Sequence, residues 1–163
     1  MPSPVTRFRD PRASKYAFLG SILVRCPGCD GVAHVTPQPR GDSGLFAKRR
    51  LVCRRCGRCR EWSGRRCALP GGGPVRDPYF GLPLRLQART RHGWVWAYNP
   101  AHLDLLRRFV AAGLRERPRP DGGTIRMTVV ARLPAWMQKA KNRSEVLHAL
   151  DRARAALLPD RRS

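Results

Sequence analysis

The chain has few acids, almost no lysine, and nowhere a long apolar run. No apolar stretch approaches the ~20 residues that a helix needs to cross a bilayer, so a membrane-spanning helix is excluded and no membrane partner is expected. Arg7, Arg9, Arg12 and Lys15 do precede an apolar stretch at 17–24, in the manner of a secretory leader. That stretch is short, and no small-x-small cleavage site follows it. Arg25 also stands before Cys26, where a lipoprotein leader carries a small residue. The expectation is therefore a cytoplasmic chain with reduced thiols, in which paired cysteines read as metal ligands and not as disulfides.

Acidic residues number 11 against 33 basic ones, which gives a net charge of +22. Such an excess repels itself unless a polyanion is near, and it points to nucleic acid. Only Lys15, Lys48, Lys139 and Lys141 are lysines, and the rest are arginines. The arginine fork pairs with phosphate and its plane stacks on bases. The charge is spread evenly. Residues 1–70 hold 15 basic and 4 acidic groups, and the remainder holds 18 and 7. A neutral domain with a basic tail does not fit this distribution.

Catalytic constellations are missing as well. His34, His92, His102 and His148 are scattered, and no nucleophile motif, phosphate loop or carboxylate cluster accompanies them. The chain is not expected to be an enzyme.

Against these absences stand six cysteines. Cys26-Pro27-Gly28-Cys29 and Cys53-Arg54-Arg55-Cys56-Gly57 are two Cys-x-x-Cys turns separated by 23 residues, enough for a strand, a loop and a strand. Each turn aims two thiolates at one point, and two facing turns complete a sulfur tetrahedron about one structural zinc ion. A glycine just past the second sulfur supplies the left-handed backbone that such a turn requires. Cys56 and Cys59 are an alternative second pair, but Arg60 follows Cys59 where Gly57 follows Cys56. Cys59 and Cys67 are then free or packed thiols.

Residues 17–63 resemble a zinc ribbon of the transcription-factor-IIB type. The likeness lies in the Cys-Pro-x-Cys turn at 26–29, the Cys-x-x-Cys-Gly turn at 53–57, and Trp62 beyond it. It implies a β-ribbon built around a structural metal, in a family whose members bind DNA, RNA or protein. Residues 81–158 resemble bacterial zinc-ribbon-containing proteins of unestablished activity. The matching pieces are Gly81-Leu82-Pro83-Leu84, Trp96-Ala97-Tyr98-Asn99 with His102-Leu103, Arg132-Leu133-Pro134-Ala135-Trp136, and Ala140-Lys141-Asn142-Arg143.

The pattern predicts an α+β protein: an N-terminal β zinc ribbon, then a small module with a β-hairpin and two or three helices. The expected divisions are a flexible basic arm at 1–16, the ribbon at 17–66, a Gly/Pro-rich linker at 67–83, and the hairpin-plus-helices module at 84–163. Strands are expected at 17–25, 31–36, 45–53 and 59–63, with a hairpin of 84–88 and 94–98 around Arg91-His92-Gly93. Asn99 and Pro100 open a helix whose stripe is Leu103, Leu106, Val110 and Leu114, ended by Pro118 and Pro120. Residues 124–133 read as strand or helix, and Pro134 opens a short helix through Ala140. Asn142 with Glu145 resembles a capping box opening a last helix, whose inner face is Val146, Leu150, Ala153 and Leu157.

Nine basic residues crowd into 48–66 beside one acid, Glu61: Lys48, Arg49, Arg50, Arg54, Arg55, Arg58, Arg60, Arg65 and Arg66. One or two of these balance the −2 charge of a zinc tetrathiolate, and the others form a phosphate-binding edge. Trp62 is either the ribbon's core aromatic or a stacking surface, and the row Trp94, Trp96, Tyr98 allows the same two roles. The function expected is non-catalytic nucleic-acid binding, with DNA ahead of RNA. The alternative is a protein-interaction adaptor docked on a transcription, replication or translation machine.

Overall fold

The computed structural model describes residues 6–40, 44–62, 64, 73–115 and 128–158. The architecture is α+β, an antiparallel four-stranded sheet followed by a hairpin and helices. The chain opens with β1 (Arg7–Phe8) and a 3-10 turn at Lys15–Phe18. The first sheet has the sequential order β2 (Ile22–Arg25), β3 (Val32–Pro37), β4 (Arg49–Cys53) and β5 (Cys59–Trp62). All its pairings are antiparallel, with Ile22 opposite Val35, Val35 opposite Leu51, and Ala33 opposite Cys53.

Period-two alternation then decides the two faces of this sheet. Ile22, Val24, Ala33, Val35, Leu51 and Cys53 are buried on one face. That face is covered from 73–84, of which 73–83 fell in the expected linker, and the stretch is closely packed against the sheet. Tyr79 and Leu84 join the same apolar cluster. Tyr79 Oη donates to Leu45 O at 2.9 Å, and Trp62 meets the Tyr79 ring edge-on at 4.9 Å. Buried Asp77 holds the turn by accepting from the N–H groups of Tyr79, Phe80 and Leu82 at 2.7–2.9 Å. Trp62 therefore has the core role of its two expected ones. The sheet therefore has an apolar core at its base.

The second half begins on the free edge of β2. Arg25 N–H donates to Pro83 O, Arg85 N–H to Leu23 O, and Leu23 N–H to Tyr98 O, at 2.8–2.9 Å. The hairpin follows as β6 (Leu86–Thr90) and β7 (Gly93–Ala97), joined by Arg91 and His92. Helices α1 (Pro100–Ala111) and α3 (Arg143–Ala155) pack on it and on each other. Their core contains Leu86, Val95, Ala97, Leu103, Leu106, Val110, Val146, Ala149, Leu150 and Ala153, and Leu23 of the first sheet reaches into it. Ion pairs Arg107–Asp151 (3.0 Å) and Arg154–Asp104 lace the two helices together.

Asn99 caps α1 as expected, its Oδ1 accepting from His102 N–H at 2.9 Å, with Pro100 in the first turn. The same side chain donates from Nδ2 to Phe18 O and Ser21 O, tying the helix start to the approach to β2.

Several elements differ from the sequence expectation. Strand β2 starts at Ile22, because residues 15–18 coil into the 3-10 turn. Helix α1 ends at Ala111, and Gly113 N–H donates to Thr6 O. Leu114 leaves the helical stripe for β8 (Leu114–Arg115), which runs parallel to β1. Phe8, on the expected arm, is buried edge-on against Phe109 at 5.3 Å. A buried aromatic outweighs the polar, proline-rich composition around it.

Residues 124–127 lie outside the described residues, and 130–132 form a 3-10 turn. Short α2 (Ala135–Gln138) opens after Pro134 and gives way to a 3-10 turn at Ala140–Asn142. The capping box at α3 does not form. Asn142 donates to Trp136 O at 2.8 Å, while Glu145 accepts from Arg91 N–H at 3.1 Å and pairs with Arg91 Nε at 2.9 Å. The hairpin turn offers Glu145 a cation, a stronger partner than a neutral amide.

Candidate metal centre and basic edge

The β2–β3 and β4–β5 connections lie at the same end of the first sheet and are built alike. In the first, Cys26 N–H donates to Gly31 O (2.8 Å) and Asp30 N–H to Cys26 O (2.9 Å). In the second, Cys53 N–H donates to Arg58 O and Gly57 N–H to Cys53 O, both at 2.9 Å. The residue after the second cysteine takes the left-handed conformation in each turn, Asp30 with φ 55° and Gly57 with φ 72°. Asp30, and not Gly31, plays this part in the first turn. Aspartate tolerates the conformation better than most residues, so the signal was present in the Cys-Asp-Gly order.

Gly31 is closely packed instead. A Cβ there would lie 3.1 Å from Arg55 Cδ and 3.2 Å from Cys29 Sγ.

The two turns bring Cys26, Cys29, Cys53 and Cys56 together, with their sulfurs all within 4.8 Å of one another. Cys26 and Cys56 sulfurs are 3.6 Å apart, as are those of Cys29 and Cys53. A tetrahedron with metal–sulfur arms of ~2.3 Å has edges of about 3.8 Å, so the group fits a four-coordinate metal ion.

The acidity of the thiols points the same way. Backbone N–H groups of Cys56 and Arg55 draw Cys53 down to about 7, against the pull of burial. Cys29, despite the Gly31 N–H, is pushed up to about 11 by burial and by the neighbouring sulfurs. Four sulfurs this close cannot all ionise until a cation joins them. Cys59 lies on β5 opposite Val52, is exposed, and is not part of the cluster. Cys67 lies outside the described residues.

The arginines around the turns divide into groups. Arg49, one of the expected contacts, is 2% exposed. It donates to Leu19 O and Gly44 O and lies over the Tyr79 ring at 4.3 Å. Arg49 braces the base of the sheet and is removed from the contact surface. Arg50 is exposed but pairs with Glu61 at 3.1 Å. Arg55 and Arg58 reach back from the second turn over the first. Arg55 packs against Gly31, and Arg58 Nε would be 2.6 Å from a Cβ on Gly28.

Arg54 and Lys48 are exposed, and Arg60 approaches the Phe80 ring at 5.7 Å. Burial, and to a lesser degree the neighbouring charge of Arg54, pushes the pKa of His34 below the ordinary imidazole value. Arg65 and Arg66 lie outside the described residues.

No acid among the described residues pairs with Lys48, Arg54, Arg55, Arg58 or Arg60. Asp30 is taken by Arg25, Glu61 by Arg50, and Asp104, Glu145 and Asp151 by arginines of the second half. This sorting was not visible in the sequence, because it depends on which acids fold next to which arginines.

Trp94, Trp96 and Tyr98 share one face of the hairpin and are half-buried, while Val95 and Ala97 between them are buried in the helical core. Trp96 meets Tyr98 and His102 edge-on at 5.0 and 5.7 Å, and His102 stacks on Phe18 at 4.6 Å. Among the described residues no helix is long and apolar enough to cross a membrane. The chain matches no family model, no curated protein and no solved structure.

Proposed function

We propose that the chain is a zinc-stabilised, non-catalytic nucleic-acid-binding protein whose contact surface is the basic edge around its metal-holding turns. The observation that carries this reading is the set of exposed cations Arg54, Arg55, Arg58 and Arg60, which lack acidic partners among the described residues and sit on or beside the turn that holds Cys53 and Cys56. Zinc is the ion that suits four thiolates in a tetrahedron. Its tetrathiolate carries −2, which Arg55 and Arg58, drawn across the first turn, offset. Arg54 and Arg60 then remain at this edge for phosphates, with exposed Lys48 at the far end of β4, and cations held on a rigid support engage phosphates with little loss of freedom. The likeness to transcription-type ribbons favours DNA over RNA.

The test is affinity of the zinc-loaded protein for DNA across a salt series. Each phosphate contact contributes a slope of about −0.9 in log affinity against log salt on duplex DNA. Three or more contacts are expected. Absence of binding, or binding that ignores salt, would replace this reading with that of a protein adaptor.

A further inference from the structure

Trp94, Trp96 and Tyr98 form the wall of a cavity of about 210 Å³, closed by His102 and Met137 and bordered by Arg132. Drug-sized sites run to roughly 300–1,000 Å³, so this one has room for a single small ring system. We propose that it receives one unpaired base of the bound nucleic-acid strand, with Arg132 on the adjoining phosphate. The assignment rests on the nucleic-acid reading above and adds to it the class of substrate, a strand with unpaired bases.

Three observations converge on a planar, polar-edged, anion-bearing occupant. The first is shape. Trp94 and Trp96 share the face of β7 opposite Val95 and Ala97, and with Tyr98 they give the cavity three aromatic side chains. Every base has a π-face that stacks on such side chains whatever the sequence.

The second is an unmet donor. His102 is 4% exposed, and its Nδ1 accepts the Tyr98 N–H at 3.2 Å. Burial keeps the ring neutral, so its one proton resides on Nε2. Nε2 has no hydrogen-bond partner among the described residues, is not fully enclosed, and belongs to a ring that lines the cavity. A donor on the cavity wall suits an occupant with an acceptor on its edge, which a base supplies through a carbonyl oxygen or ring nitrogen.

The third is charge. Three aromatic side chains in a row would also suit a quaternary ammonium group. Arg132 is the only charged residue on the lining, is exposed, and has no acid partner among the described residues. Together with the net charge of +22 it repels a cation and attracts a phosphate.

The test follows tryptophan fluorescence and affinity of the zinc-loaded full chain at one salt concentration. The titrants are a single-stranded DNA oligonucleotide, the duplex of the same length, and a nucleoside monophosphate. The single strand is expected to bind at least tenfold more tightly than the duplex and to quench the fluorescence. Trp94→Leu should weaken single-strand binding by about 5- to 150-fold, the range for losing one stacked base, and leave duplex binding unchanged. Arg132→Gln alters an exposed side chain that the fold does not use, and should weaken single-strand binding several-fold. This second variant keeps the test valid if Trp94→Leu misfolds. Duplex binding equal to single-strand binding, with neither substitution discriminating, overturns the cavity assignment and leaves the basic-edge reading intact. Saturable quenching by the free monophosphate as strong as by the strand overturns the choice of a strand as ligand. Failure of every nucleic acid to bind removes both readings together.

Discussion

At the base of the β2–β5 sheet, Ile22, Val35 and Leu51 are fully buried against Tyr79 and Leu84. At its tip the only buried cysteines are Cys26 and Cys53, and every residue from 54 to 60 is exposed. One sheet is thus held by apolar packing at one end and by four sulfurs at the other. The base lies between the 73–84 segment and the helical half, where each buried large aliphatic side chain contributes about 1.5–3 kcal/mol. At the tip, Cys26 and Cys53 end that apolar cluster, Arg85 Nη1 donates to Asp30 O at 3.1 Å, and residues 54–60 are exposed. Exposed residues 54–60 have no core of their own to fix their backbone, and a metal held by the flanking cysteines can do so without covering them. The same arrangement leaves the tip's arginines open to solvent. The end whose four cysteines could hold a metal is therefore also the end whose arginines face solvent.

The largest effect on stability should come from the packed regions. Leu84→Ala in the base and Leu150→Ala in the helical half, both fully buried, should each cost about 2–5 kcal/mol in denaturant unfolding. An unchanged midpoint in Leu84→Ala would mean that the base is not held by packing, and the contrast between the two ends would fail.

Acid should act next. Burial pushes His102 down to about 4, so the folded chain resists the proton that the unfolded chain accepts near the usual imidazole value of about 6.5. Stability from this group is complete above about pH 6.5, falls as pH drops, and is flat below about 4, a total on the order of 3 kcal/mol. Unfolding of chelator-treated protein across this range isolates the effect from proton competition at the thiolates. A flat profile would contradict the buried placement of His102.

A smaller loss, about 1–2 kcal/mol, is expected for Asn99→Ala, which removes a helix cap and two bonds to the chain before β2. Thermal melting checks it. The smallest change in stability, within about 0.5 kcal/mol, is expected for Arg54→Gln at the tip. The same substitution should reduce the salt slope of DNA binding by about one contact. A large loss of stability there would show that the arginine is structural.

The metal site and the strand pattern were legible because Cys-x-x-Cys spacing and alternating apolar residues are local signals. The cap at Asn99 was legible for the same reason. What remained hidden depends on distant partners. Glu145 has the spacing of a capping residue, yet it folds beside Arg91 and bonds the hairpin turn instead. Arg49 stands in the same basic run as Arg50 and Arg54, and only the register of β4 and the position of Tyr79 turn it inward. Leu114 continues a helical period, but pairing with β1 takes it into a strand. Phe8 sits in a polar, basic stretch, and its place against Phe109 follows from contacts a hundred residues apart in sequence.

Hydrogen exchange of the gently purified chain before and after chelation, paired with its intact mass, tests the division of the sheet most directly. One bound zinc is predicted, with removal freeing the amides of residues 26–31 and 53–58 while those of α1, α3 and the sheet base stay protected. Absence of metal, or equal protection of the two turns with and without it, would contradict the account.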